Sequence, residues 1–116
     1  MADNGKCTWT GESGTEYTYF IHAIPATFDP GQNGNYIYSK KNDNGKWVPI
    51  YIGQGDLADR VSDNHHRAGC IARKGATHVH EHLNPIKADR TGEEQDLLAH
   101  YTNAYAPNGC NEKEGG

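Results

Sequence analysis

Asn44-Gly45, midway between two short runs rich in tyrosine and isoleucine (residues 35–39 and 48–53), constrains this chain more than any other feature. Both residues tolerate the positive φ of a two-residue type I′ turn, so the runs are predicted to fold back on each other as a β-hairpin. Counting outward from that turn sets Asp43 opposite Lys46, Tyr38 opposite Tyr51 and Ile37 opposite Ile52. Directly opposed residues share a face of a sheet. Tyr36, Tyr38 and Tyr51 are therefore expected on one face, with Ile37, Ile50 and Ile52 on the other, toward the core.

The remaining elements follow from local signals. Residues 17–24 are aromatic and β-branched and read as a strand that Pro25 ends, before a loop over 29–34. Asp56 is placed to N-cap a helix from Leu57, with Leu57 and Val61 inward and Arg60 and Asn64 on the adjacent stripe. That helix is expected to fade near Gly69. Residues 77–83 alternate strictly and predict a further strand, stopped by Asn84-Pro85. A second helix is expected from Thr91 through Leu97, Leu98 and Tyr101 to about Ala104, closed by residues 107–109. Residues 1–15 read as a flexible segment apart from Trp9, 16–111 as one domain and 112–116 as a tail. The class is α+β with a small, mostly antiparallel sheet.

Composition bounds the function. With 116 residues and 34% hydrophobic content, one modest core is all the chain can build. No apolar stretch approaches the roughly 18 residues of a membrane span, and no leader is visible, so the expected setting is the cytoplasm with no membrane partner. Cys7, Cys70 and Cys110 are an odd, scattered set without a CxxC pair and are expected as reduced thiols. A net charge of −4 weighs against strong phosphate binding. The cations nevertheless cluster, at Lys40, Lys41 and Lys46 and again at Arg60, Arg67, Arg73 and Lys74, which leaves room for a locally basic face.

Gly34-Asn35-Tyr36-Ile37-Tyr38 followed by Pro49-Ile50-Tyr51-Ile52-Gly53 resembles the paired motif of the GIY-YIG endonuclease superfamily. The resemblance continues in the family's order through Asp56-Leu57, Arg60-Val61, Glu94-x-x-Leu97-Leu98 and Pro107…Asn111. It implies a three-stranded antiparallel sheet flanked by helices, here with an extra N-terminal strand, and hydrolysis of DNA with Mg²⁺ or Mn²⁺. It further implies Tyr36 and Tyr51 as the active-site tyrosines, with Tyr36 expected to deprotonate the attacking water. Arg60 would hold the scissile phosphate, Glu94 the metal, and Asn111 (or Asn108) would be the structural or phosphate-side asparagine. Asn35 stands where an apolar residue is usual, Gln54 where many relatives carry lysine, and Asn64 where they place His or Tyr, with His65 and His66 just beyond. His65 or His66 is therefore a candidate base or phosphate donor.

The chemistry is coherent in its own terms. Phosphodiester hydrolysis needs an activated water, a cation against the developing charge and a proton for the leaving oxygen. Arginine offers a planar fork for phosphate oxygens, and one carboxylate with several waters is a common way to hold Mg²⁺. Glu94 also has a structural alternative, as the last residue of a capping box with Thr91, which would leave Glu93 as the metal ligand. His78, His80 and His82 share one strand face and could bind Zn²⁺ only if the strand bends; otherwise they are expected as partly exposed residues near the DNA-facing side. Two other classes of function remain in view: a non-catalytic nucleic-acid-binding module and a histidine-rich metal-binding protein. A small nuclease would draw specificity from a homodimer or a DNA-recognition partner, and RNA is an alternative substrate.

Overall fold

Five antiparallel strands form one curled sheet in the order β1-β2-β5-β3-β4, in a computed structural model that describes residues 5–62 and 65–112. The strands are β1 (Lys6–Thr10), β2 (Glu16–Ala23), β3 (Asn33–Lys41), β4 (Trp47–Asp56) and β5 (His78–Leu83). Three helices accompany them: α1 (Leu57–Arg60), α2 (Ala68–Arg73) and α3 (Lys87–His100), the last followed by a 3-10 turn over Thr102–Ala104. The α+β class holds, but the sheet has five strands where three and an N-terminal extra were expected. The fifth is β1, inside the segment taken as flexible. Trp9 anchors it, buried against His80 and Tyr101.

The hairpin register is as counted at its centre and different at its tip. Tyr38 pairs with Tyr51 and Ile37 with Ile52, yet Ser39 pairs with Pro49 and Lys41 with Trp47. The turn is longer than two residues: Gly45 N–H donates to Asn42 O, Asn42 N–H donates to Lys46 O, and Gly45 alone takes positive φ. The Asn42 side chain fixes this loop by accepting from the amides of Asn44 and Lys46. An irregularity at Tyr38/Ser39 absorbs the extra residue. Ile50 consequently packs with Tyr36 and Tyr38, on the tyrosine face and not with Ile37 and Ile52.

Both faces of the sheet are buried. On one, Tyr36, Tyr38, Ile50 and Val79 pack against Leu57, Val61 and Ile71 from α1 and α2. On the other, Ile37, Ile52, Trp9 and Tyr19 pack against Leu97 of α3 and Ala104. Asp56 caps α1 as expected, its Oδ1 accepting from Ala58 N–H at 3.0 Å. The helix stops after one turn, however, and α2 is separate, with Gly69 inside it. Asn64 lies outside the described residues, as do residues 1–4 and 113–116. α3 begins a turn earlier than expected, at Lys87, so Thr91 is helix interior and the capping box with Glu94 does not form.

Two chemical expectations are overturned here. Cys70 and Cys110 form a disulfide with Cα atoms 5.9 Å apart, tying α2 to the C-terminal segment; only Cys7 stays free, and burial pushes its thiol up to about 11. The odd count concealed one pair plus one remainder. The histidines of β5 share the face of Ile37, away from the tyrosine face, and His80 is fully buried. Trp9 Nε1–H donates to His80 Nδ1 at 3.0 Å, so Nε2 carries the proton and donates to Ser39 Oγ at 3.0 Å. Both nitrogens are thus engaged, which removes His80 from a zinc set with His78 and His82. Burial holds the His80 imidazole at about 3, against 6.5 in an unfolded chain. Below pH 6.5 the unfolded state takes up a proton that the folded state refuses, so stability falls as pH drops from 6.5 toward 3. The expected loss between pH 7 and pH 5 is about 2 kcal/mol from this group. Thermal melts at the two values check it, and a His80→Gln variant should flatten the difference; a wild type equally stable at both would contradict it.

Candidate active site

The tyrosine face carries most of the residues that the sequence singles out. Tyr36 lies on β3 and Tyr51 on β4, with ring centroids 6.0 Å apart and planes inclined by 22°. Gly53 makes this possible. It pairs with Tyr36 across the hairpin, and a Cβ built there would meet Tyr36 Oη at 2.5 Å and Cζ at 2.6 Å. The Tyr36 ring thus lies over a backbone that must be bare. Gly53→Ala should displace the ring and destabilise the fold by about 1–3 kcal/mol, as overpacking does. A melting curve tests this; an unchanged Tm would mean that the ring is not held there.

Behind the tyrosines, the segment between α1 and α2 brings in His65. Arg67 N–H donates to His65 Nδ1 at 2.9 Å, which leaves the ring proton on Nε2, 2.8 Å from Tyr36 Oη. His65 therefore donates to Tyr36. Burial, helped by His66, Arg60 and Arg67, lowers the His65 pKa to about 4, so the ring is neutral at pH 7. Both ring nitrogens are thus engaged, one by Arg67 N–H and the other by Tyr36 Oη. The Tyr51 ring stacks beside that of Tyr36, and His66 Nε2 stands 3.5 Å from Tyr51 Oη, the limit for a hydrogen bond.

The two phenols differ in access. Tyr36 is 1% exposed, and burial first, then the neighbouring Tyr51, push its pKa up while Arg60 opposes. Tyr51 is half-buried and lines an open cleft of about 520 Å³. Burial and then Glu94 raise its pKa; Arg60 and Arg67 pull it back. Tyr36 is closed off from solvent, and Tyr51 is the phenol that faces the cleft.

Glu94, on α3, lines the same cleft with Leu98, Asn111 and Glu112. Glu93, the fallback ligand, points elsewhere: it is buried, accepting from Tyr19 Oη and from His82 Nδ1. Asn111 rather than Asn108 reaches the site, and its role there is structural. Its side chain accepts from Ile52 N–H and donates to Ile52 O, both at 2.9 Å, closing the open edge of β4. Arg60 is exposed at the end of α1, its side chain folded over Gly55, where a Cβ would come within 2.8 Å of Nε. Gln54 is turned to the other face, accepting from Arg90 Nε.

Arg67 is the residue that sequence reasoning undervalued. Its Nε–H donates to Cys110 O at 3.0 Å and it ion-pairs with Glu112 at 3.4 Å, while its charge reaches Tyr51 and His65. Its place directly after His65-His66 was the available signal. Among the described residues no group of three His, Cys, Asp or Glu side chains is arranged to hold a metal ion. Compared with protein-family models, curated proteins and solved structures, the chain matches none.

Proposed function

We propose that this protein is an endonuclease that hydrolyses phosphodiester bonds in DNA with a divalent metal. The observation that carries the reading is the pair of stacked phenols, Tyr36 held by His65 and Tyr51 facing the cleft that Glu94 lines. The order of the GIY-YIG-like motifs supports the same reading.

The residues around the cleft suit Mg²⁺ or Mn²⁺. Tyr51, Glu94, Gln95 and Glu112 offer oxygen donors, and among the described residues neither sulfur nor imidazole lines this space. Glu94 would hold the ion with water in the remaining positions, and the ion would supply positive charge against the phosphate. The protein's own groups divide the rest. Tyr51 takes the proton of the attacking water from the cleft side, and the charges of Arg60 and Arg67 favour the phenolate that this requires. His65 fixes the hydroxyl of Tyr36. Arg60, the exposed cation whose field reaches both phenols, binds the scissile phosphate.

Among the described residues no helix is long and apolar enough to cross a membrane. The Cys70–Cys110 bond supports an oxidising environment over the reducing cytoplasm first expected. Specificity beyond this small domain would come from a second copy or a DNA-recognition partner. Nicking of plasmid DNA in Mg²⁺ or Mn²⁺, abolished by EDTA, is the expected result. DNA bound but left intact, on linear and branched substrates with either ion, would instead support a non-catalytic binding module.

A further inference from the structure

A second cleft, of about 180 Å³, is lined in part by His65. It is lined by His65 and Tyr38, by Val61 and Ile71, and by the small side chains of Ala68 and Ala72. The lining is predominantly apolar, with small side chains at the mouth where larger ones would fill it. Nothing in the hydrolytic chemistry above uses this space. We propose that it is a nucleobase pocket, which takes one unpaired base next to the scissile phosphate.

Three observations support this occupant. First, the pocket and the tyrosine pair share a wall: the His65 ring that lines the cleft is the one whose Nε2–H donates to Tyr36 Oη at 2.8 Å. A ligand that fills the pocket therefore lies one ring away from the phenols, and a nucleotide joins its base to its phosphate through a single sugar. Second, the walls present aromatic rings and aliphatic surface, which suit a flat heterocycle of any sequence better than a charged or strongly polar group. Third, a chain with net charge −4 gains little from counterion release, so nucleic-acid affinity has to come from another source. Burial of a base against aromatic rings is such a source.

The pocket also specifies the kind of substrate. A base can enter it only outside a duplex stack, so single strands, frayed ends, flaps and mismatches are favoured over continuous duplex. This inference rests on the nuclease reading for the identity of the phosphate, but the pocket is testable without cleavage.

The test is equilibrium titration with dAMP and with deoxyribose 5-phosphate, in EDTA, on the wild type and on two variants. Ala72→Trp covers the mouth from an exposed position, and Ala68→Leu narrows it from a half-buried one. The wild type should bind dAMP about tenfold or more tightly than the sugar phosphate, and both variants should lose that preference. Equal binding of the two ligands by the wild type, or a preference that survives in both variants, would overturn the pocket. A protein that shows the preference yet cuts no DNA would keep the pocket and lose the nuclease reading.

Discussion

Reduction of the Cys70–Cys110 disulfide is expected to lower stability by about 4 kcal/mol, because the bond closes a loop across 40 residues. For a domain of this size that corresponds to a fall in Tm of roughly 15–25 °C. The effect should extend to the site. Cys110 N–H donates to Ile50 O at 2.7 Å, its carbonyl accepts from Arg67 Nε, and Asn111 follows it along the edge of β4. Loosening Cys110 thus releases the asparagine that closes this edge and the arginine that faces Tyr51. A Cys70→Ala/Cys110→Ala variant should melt like the reduced protein and ignore reductant. A wild type with the same Tm with and without reductant, and three titratable thiols, would contradict the account.

The second large effect separates the two tyrosines. Tyr51→Phe removes the hydroxyl that faces the cleft, and cleavage should fall by about 100-fold or more, the range expected for loss of a general base. Its stability should change little, since the ring is half-buried and its phenol meets His66 only at 3.5 Å. Tyr36→Phe is predicted to do the reverse. It strands the buried Nε2–H of His65 and should cost about 1–3 kcal/mol of stability. Its effect on cleavage should be the smaller of the two, because Tyr36 is buried away from the cleft. Melting curves and single-turnover cleavage of both variants decide the matter. Full activity in Tyr51→Phe, or a larger loss in Tyr36→Phe, would reverse the assignment.

Much of the site was legible because it depends on local pattern. Alternation placed Tyr36, Tyr38 and Tyr51 on one face, and Asp56 announced its helix with a capping side chain. The pairing of Tyr38 with Tyr51 also came out as counted, though for a partly wrong reason: the longer Asn42–Lys46 turn and the irregularity at Tyr38/Ser39 offset each other. What escaped depends on contacts far apart in the chain. The Cys70–Cys110 pair, the Trp9–His80 bond and the Asn111–Ile52 pairing link residues 40 or more positions apart, and no local signal carries them. Helix boundaries failed where tertiary contacts overrode caps, as at Thr91. The role of Gly53 was hidden because a glycine in a strand shows its purpose only when the ring that covers it is known.

Plasmid cleavage in Mg²⁺ and Mn²⁺ by the wild type and by Glu94→Gln tests whether Glu94 serves a metal-dependent nuclease. A wild type that nicks or linearises the plasmid, with a folded variant at least ~100-fold slower, is the predicted result, equivalent to about 2.7 kcal/mol of transition-state stabilisation. Equal cleavage by both proteins would contradict it.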